Sequence, residues 1–403
     1  MDGVTLAGLY FHFPGINKMK TVETEVQSSA PEQNKVSFWG ELSGSIGDLG
    51  TFLPYVLGAI SVAGFNPASI FTGFGLFYIF CGWFYKIPMA VQPMKAASAA
   101  VLVHQLTPGE VAAAGLITGA VLLVLGLSGL IDFIARLTPP VVISGIQVGL
   151  GLSLAMLGVK MIGKDPLLGW PILVLMLFFL QSRRFPAAIM AVAAGIALNF
   201  LLHPELAFPS ISIGLHFPGI TLPAAADFHR GFFLAALPQL PLTLANAVLV
   251  TTAVARELFG DRAARVQDRN LCMTMGAANL LAAPMGGYMM CHGSGGVAAH
   301  YRFGGRTKRT AYIIGFMLLA SGLFLGSDGA KVFALIPEAA LGCLLFYSGI
   351  DLASAAKHVK QRHEFFLVLA VAALALATNP AVAFVAGFIL AKGIEKGWIR
   401  WHK

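Results

Sequence analysis

Pro88-Met-Ala-Val-Gln-Pro-Met-Lys-Ala and, far downstream, Pro284-Met-Gly-Gly-Tyr-Met-Met-Cys-His-Gly-Ser-Gly-Gly interrupt apolar segments at matching places. Each reads as an extended strand running into a helix start. Proline lacks an amide hydrogen, fixes φ and disfavours helix in the residue before it, so Val91 and Gln92 are expected to be extended, with a helix opening at Pro93. In the second stretch the glycines of His292-Gly293-Ser294-Gly295-Gly296 permit close backbone approach, and Ser294 is the expected cap. The segments that follow, 92–105 and 292–303, are too short to cross about 30 Å of hydrocarbon as helices alone. They are read as broken spans. A free helix N-terminus carries roughly half a positive charge and several unpaired amides, so two of them near the midplane make an anion site without a metal.

Composition places these breaks inside a membrane. Hydrophobic residues make up 57% of the 403 residues and charged residues only 11%, with a mean hydropathy of +0.76, outside the range of soluble domains. Hydropathy and breakers put spans near 42–63, 68–85, 92–105, 109–135, 139–160, 167–182 and 186–203, then 232–256, 267–284, 292–303, 309–327, 332–351, 364–378 and 380–397. The fold class is therefore an all-α polytopic membrane protein of 14 spans, seven plus seven, with spans 3 and 10 broken. Residues 1–37, polar and charged, read as a disordered tail without a secretory signal pattern, and 38–403 as one membrane transporter domain. With the N-terminus inside, cytoplasmic segments hold 22 Lys and Arg residues against four on the opposite face. Both termini are expected in the cytoplasm.

The four cysteines lie in or beside apolar spans without metal spacing, so neither disulfides nor zinc are expected. The net charge of +8 is spread among the spans and does not form a nucleic-acid stripe. An intramembrane hydrolase is disfavoured, because there is no G-x-S-x-G and His363-Glu364 lacks the second histidine of H-E-x-x-H. The protein is not expected to be an enzyme.

An odd number of spans per half turns the second half upside down relative to the first, as in inverted-repeat transporters. Thr138-Pro139-Pro140, followed by Gly145 and Gly149, is echoed by Ile336-Pro337-Glu338, followed by Gly342 and Gly349. Gly115-xxx-Gly119 and Gly145-xxx-Gly149 read as helix-packing surfaces. Polar residues inside spans are costly and carry information. Span 1 holds Asp48 and Thr51, and span 8 holds Gln239, Thr243 and Asn246. Prolines 54, 238 and 241 suggest local unwinding, with Gln239 between two of them reaching a cavity. Lys95 falls in the first turn of the proposed half-helix, where the dipole disfavours a cation. A bound dianion balances it together with the two helix ends, or it pairs with Asp48 or snorkels; the readings merge if Asp48 neutralises Lys95 only when the site is empty. His292 is open to three readings: oxyanion donor, acceptor of a coupling proton, or packing partner.

At these residues the sequence resembles the molybdate transporter family, a branch of the sulfate permease superfamily. The matching stretches are Gly47-Asp-Leu-Gly-Thr-Phe-Leu-Pro, Pro88-Met-Ala-Val-Gln-Pro-Met-Lys-Ala, Leu237-Pro-Gln-Leu-Pro-Leu-Thr-Leu-Ala-Asn and Cys291-His-Gly-Ser-Gly-Gly-Val-Ala-Ala-His-Tyr-Arg-Phe-Gly. The resemblance runs from about Val36 to Lys396. It implies an inverted repeat in which a core (about 38–135 and 231–327) moves against a gate (about 136–230 and 328–397). It also implies secondary uptake of molybdate by an elevator-type mechanism. Sulfate permeases usually append a STAS domain, and the little chain after span 14 fits the branch that lacks one. Gln92, Pro93, Lys95, Asp48, Thr51, Gln239, His292, Gly293 and Ser294 are the expected substrate-binding residues. No cofactor is expected, and a proton is the candidate coupling ion. Membrane lipid surrounds the protein, which is expected in a plasma (inner) membrane, with a homodimer as an open expectation. The alternatives are sulfate or another oxyanion in the same site, or a passive anion channel.

Overall fold

The computed structural model describes residues 37–131, 139–179, 187–204, 208–210, 212–326, 328–333 and 335–396. The chain divides into Met1–Ser37 and Phe38–Lys403; the tail read at 1–37 lies outside the described residues except for Ser37. The larger unit is mostly helical. In order it carries α1 (Phe38–Ile46), α2 (Leu49–Ser61), α3 (Pro67–Tyr85), β1 (Gln92–Pro93), α4 (Lys95–His104), α5 (Pro108–Ser128), α6 (Pro140–Ile162), α7 (Pro166–Phe179) and α8 (Ala187–Leu202). There follow α9 (Asp227–Ala263), α10 (Asp268–Ala282), β2 (Met290–Cys291), α11 (Ser294–Arg302), α12 (Lys308–Leu325), α13 (Asp328–Phe333), α14 (Glu338–Ala353), α15 (Arg362–Ala377) and α16 (Pro380–Glu395). By length and composition α3, α5, α6, α9 and α12 are each able to cross a membrane. Large apolar side chains such as Trp83, Met156, Phe316 and Ile389 stand exposed on the outside of the bundle, as lipid-facing groups do.

The chain breaks where local chemistry demands, and not at every proline. Unwinding expected at Pro54 is absent: this residue lies in the second turn of α2, where it removes one backbone bond without ending the helix. The break is upstream at Gly47-Asp48, and the Asp48 carbonyl accepts the amides of Thr51 (3.0 Å) and Phe52 (3.2 Å) as α2 restarts. Pro238 and Pro241 likewise lie inside the continuous α9. There the backbone widens to i→i+5 bonding over Gly231–Ala236 and Thr243–Val250, with Leu237 N donating to Phe232 O. Wider turns take up the rings and the missing donors.

Small residues let helices from distant parts of the chain touch backbone to backbone. A methyl on Gly151 would stand 2.5 Å from the Gly349 carbonyl, and one on Gly158 2.6 Å from that of Gly342, which locks α6 against α14 in antiparallel register. Gly75 of α3 meets Gly315 of α12, and Gly119 of α5 meets Gly276 of α10, in the same manner. Gly145 and Gly149 admit Val371 and Ala375 of α15, so both glycine pairs singled out for packing do pack. The apolar interior falls into two main clusters. One, with Phe52, Phe74, Met89, Leu122, Met275 and Ile314, joins α2–α5 to α9–α12. The other, with Ile146, Leu154, Ile172, Leu344 and Val371, joins α6–α8 to α14–α16, and Tyr55, Ala96, Ala99 and Leu242 reach into it from the first group of helices.

Candidate functional site

The two sequence interruptions meet. Gln92 pairs with Cys291 and Pro93 with Met290 in an antiparallel ladder, extended by Met94 N donating to Met289 O at 3.0 Å. Asn279 of α10 clamps this ladder: its amide donates to Met290 O (2.7 Å) and Met275 O (2.8 Å), and its carbonyl accepts Met290 N (3.0 Å). The pairing corrects two expectations. Pro93 belongs to the strand, so α4 begins at Lys95, two residues later than proline chemistry alone suggests. Gly293 is the extended residue before α11 and Ser294 is its first helical residue, with no side-chain capping bond. The ladder holds both chains extended until they clear each other.

Both helices therefore start beside a buried ladder with unspent donors. Among the described residues, the amides of Lys95, Ala96, Ser294, Gly295 and Gly296 have no acceptor. A side chain at Gly295 would meet nothing within 4 Å, so the first turn of α11 opens onto free space. On the α4 side, buried Gln239 accepts Ala97 N through Oε1 (3.0 Å) and donates through Nε2 to Thr243 Oγ1 (2.9 Å). Its position in α9 between two prolines fixes the half-helix, and one amide hydrogen remains. Asn246 is exposed.

On the α11 side, Gln92 donates through Nε2 to Asp48 Oδ1 (2.6 Å) and to Thr51 Oγ1 (2.7 Å), and Thr51 also bonds Asp48 Oδ1. Both amide hydrogens of Gln92 are thus used within the protein. Its Oε1 packs against Gly293, where a side chain would overlap it, and Gly296 lies against the Asp48 carboxylate. Gln92 and Thr51 orient the carboxylate, and direct contact with a substrate would require one of these bonds to open.

Lys95 does not pair with Asp48. Its Nζ lies 3.5 Å from Asp351 Oδ2 near the end of α14, and the two side chains are 31% and 45% exposed. This pair bridges the helix groups that carry the two apolar clusters. Asp351 escaped sequence reading because it falls at the edge of span 12, where a charge resembles an ordinary loop residue. His292 is also tied down. Its Nδ1 faces Ala90 O at 3.0 Å and its Nε2 faces Thr274 Oγ1 at 3.1 Å, with the ring packed beside Phe77 and Tyr85. A carbonyl only accepts, so Nδ1 carries the hydrogen, while Thr274 Oγ1 is shared among Nε2, Tyr85 Oη (2.7 Å) and Leu271 O (3.2 Å). Of its three readings, packing partner fits this geometry.

Among the described residues, the arrangement presents backbone amide donors at two helix starts and the Lys95 ammonium beside one of them. The family described as "Molybdate transporter of MFS superfamily" matches residues 40–154 and 231–352. Molybdate transporter 1 of Arabidopsis thaliana is 30% identical over 87% of this chain and 87% of its own. Molybdate transporter 2 of the same plant is 31% identical over 87% and 86%. The backbone is similar to the transmembrane domain of BicA, a cyanobacterial bicarbonate transporter, with a TM-score of 0.64 at 19% identity, covering 86% of this chain and 96% of that one.

Proposed function

The chain belongs to the molybdate transporter family, and on that premise we propose that it is a secondary transporter taking up molybdate at the starts of α4 and α11. The observation that carries the reading is the set of unspent amides at two helix starts, with Lys95 beside one of them. Two helix ends supply about one positive charge and Lys95 another, which balances a dianion. Several amide donors suit an acceptor-only tetrahedral oxyanion. Gln239 adds its remaining amide hydrogen, and Gln92, Thr51 and Asp48 shape the opposite wall.

The test is uptake of labelled molybdate by proteoliposomes. With an inward ion gradient imposed, accumulation above equilibrium that survives excess sulfate is expected. Uptake that stops at equilibrium despite the gradient identifies a passive pathway, and full block by sulfate identifies a general oxyanion carrier.

Support for fourteen spans in an inverted repeat comes from which helices pair. When each span is exchanged for the one seven places on, α3/α12 and α10/α5 become each other, while α6/α14 and β1/β2 each map onto themselves. A two-fold axis in the membrane plane generates this pattern. The two apolar clusters support a core that carries the site and moves against a gate in an elevator-type cycle. The bias of basic residues supports cytoplasmic termini. For that topology, an impermeant thiol reagent on intact cells is expected to label Ala330→Cys and not Thr307→Cys; the reverse pattern overturns it.

A further inference from the structure

A second polar group lies against the first turns of α11, at the break between α1 and α2. Asp48 is 1% exposed, its Oδ1 is taken by Gln92 and Thr51, and its Oδ2 has no hydrogen-bond partner among the described residues. Further along α11, His300 is fully buried. Its Nδ1 donates to Gly44 O at 2.7 Å on the other side of the same break, and its Nε2 has no partner among the described residues. Asp48 Oδ2 lies against Gly296, one helical turn before His300 on α11, and among the described residues no hydrogen bond joins the carboxylate to the ring. The Tyr78 ring of α3 stands edge-on to His300 at 6.2 Å.

Burying polar atoms without partners costs free energy, and most are paired in folded proteins. Here two of them, an acid and a base, are left at one helix break. The cost grows during transport. A dianion arriving at the start of α11 comes next to the Asp48 carboxylate, and like charges in a buried site favour protonation of one of them. A proton on this pair removes the repulsion and supplies the missing donor.

We infer that Asp48, backed by His300, binds one proton together with each molybdate, so that uptake is proton-coupled. The inference rests on the transporter reading and names its coupling ion. The proton adds to a carboxylate lone pair or passes to the free lone pair of His300 Nε2, and it leaves again with the molybdate on the inner face. No bond of the oxyanion is made or broken. Among the described residues, the other ionisable groups within electrostatic range of Asp48 are Lys95 on α4, Cys291 on β2 and Tyr78 on α3. Lys95 is drawn to Asp351. Glu41 of α1 is spent on the amides of Arg306 (3.2 Å), Thr307 (3.4 Å) and Thr310 (3.1 Å).

The test is calorimetry of molybdate binding to the full chain at one pH in two buffers of different ionisation enthalpy, which counts protons exchanged. Uptake of about one proton per molybdate is expected, and affinity should then fall by up to about tenfold per pH unit as pH rises through the titration. Asp48→Asn is expected to read near zero uptake whatever its affinity, and His300→Gln to shift the pH at which affinity falls. Wild-type binding with no proton uptake and a flat pH profile overturns the inference, as does binding that follows sodium instead. The wild-type measurement decides even if a variant fails to fold. Absence of any molybdate binding would instead reject the transporter reading.

Discussion

Lys95→Gln is expected to weaken molybdate binding by roughly 30- to 1000-fold, whereas Asp351→Asn should strengthen it by a few fold. Removing a charge that meets an oppositely charged partner in a desolvated site costs about 2–4 kcal/mol, which converts to that range of dissociation constant. The Lys95–Asp351 pair is different in kind. At 3.5 Å, with both side chains partly exposed, a pair of this type contributes about 0–1 kcal/mol. A dianion at the start of α4 therefore outcompetes Asp351 for the ammonium, and removing Asp351 removes the competitor. The loaded site would also be released from a contact joining the two groups of helices. Direct measurement of molybdate affinity in both variants checks this. Undiminished binding by folded Lys95→Gln removes the residue from the site. Equal losses in the two variants would mean that the ion pair only holds the fold.

The membrane class, the two interruptions and the helix-packing glycines were legible in the sequence because each rests on strong local chemistry: long apolar runs, Gln92-Pro93, and glycine at four-residue spacing. What escaped depends on partners far away in the chain. Proline reports a missing donor but not whether neighbouring turns can widen to absorb it, so α9 stays continuous through Pro238 and Pro241. The start of α4 moved from Pro93 to Lys95 because strand pairing with Met290 and Cys291, invisible from either segment alone, outweighs the local helix signal. Gln239 was legible as a buried polar group turned inward, yet its action on Ala97 N became clear only when α9 and α4 were seen together. Lys95 posed a correct question, since a cation in a first helical turn needs compensation. The partner lies 256 residues away, and no spacing rule reaches it.

Gly296→Ala is expected to abolish uptake and to lower stability by about 1–3 kcal/mol, the usual cost of forcing a side chain into a packed interior. The added methyl would stand 2.6 Å from the Ala90 side chain and 2.7 Å from Gln92 Nε2, and would overlap the Asp48 carboxylate. None of these neighbours is free to retreat. Ala90 receives His292 through its carbonyl, and Gln92 and Asp48 hold each other. Relief must come from opening the Gln92–Asp48 bond or from pushing the start of α11 away from the ladder, and either change misaligns the amides that face the oxyanion. Gly295→Ala is the control, one residue earlier in the same turn. Its methyl meets no protein atom within 4 Å, so thermal stability should match the parent protein. Any loss of molybdate affinity in that variant then measures how closely the oxyanion approaches α11. Thermal melts and proteoliposome uptake on the two variants separate the effects, and a Gly296→Ala protein with normal stability and normal uptake would show that the anion site does not depend on this turn of α11.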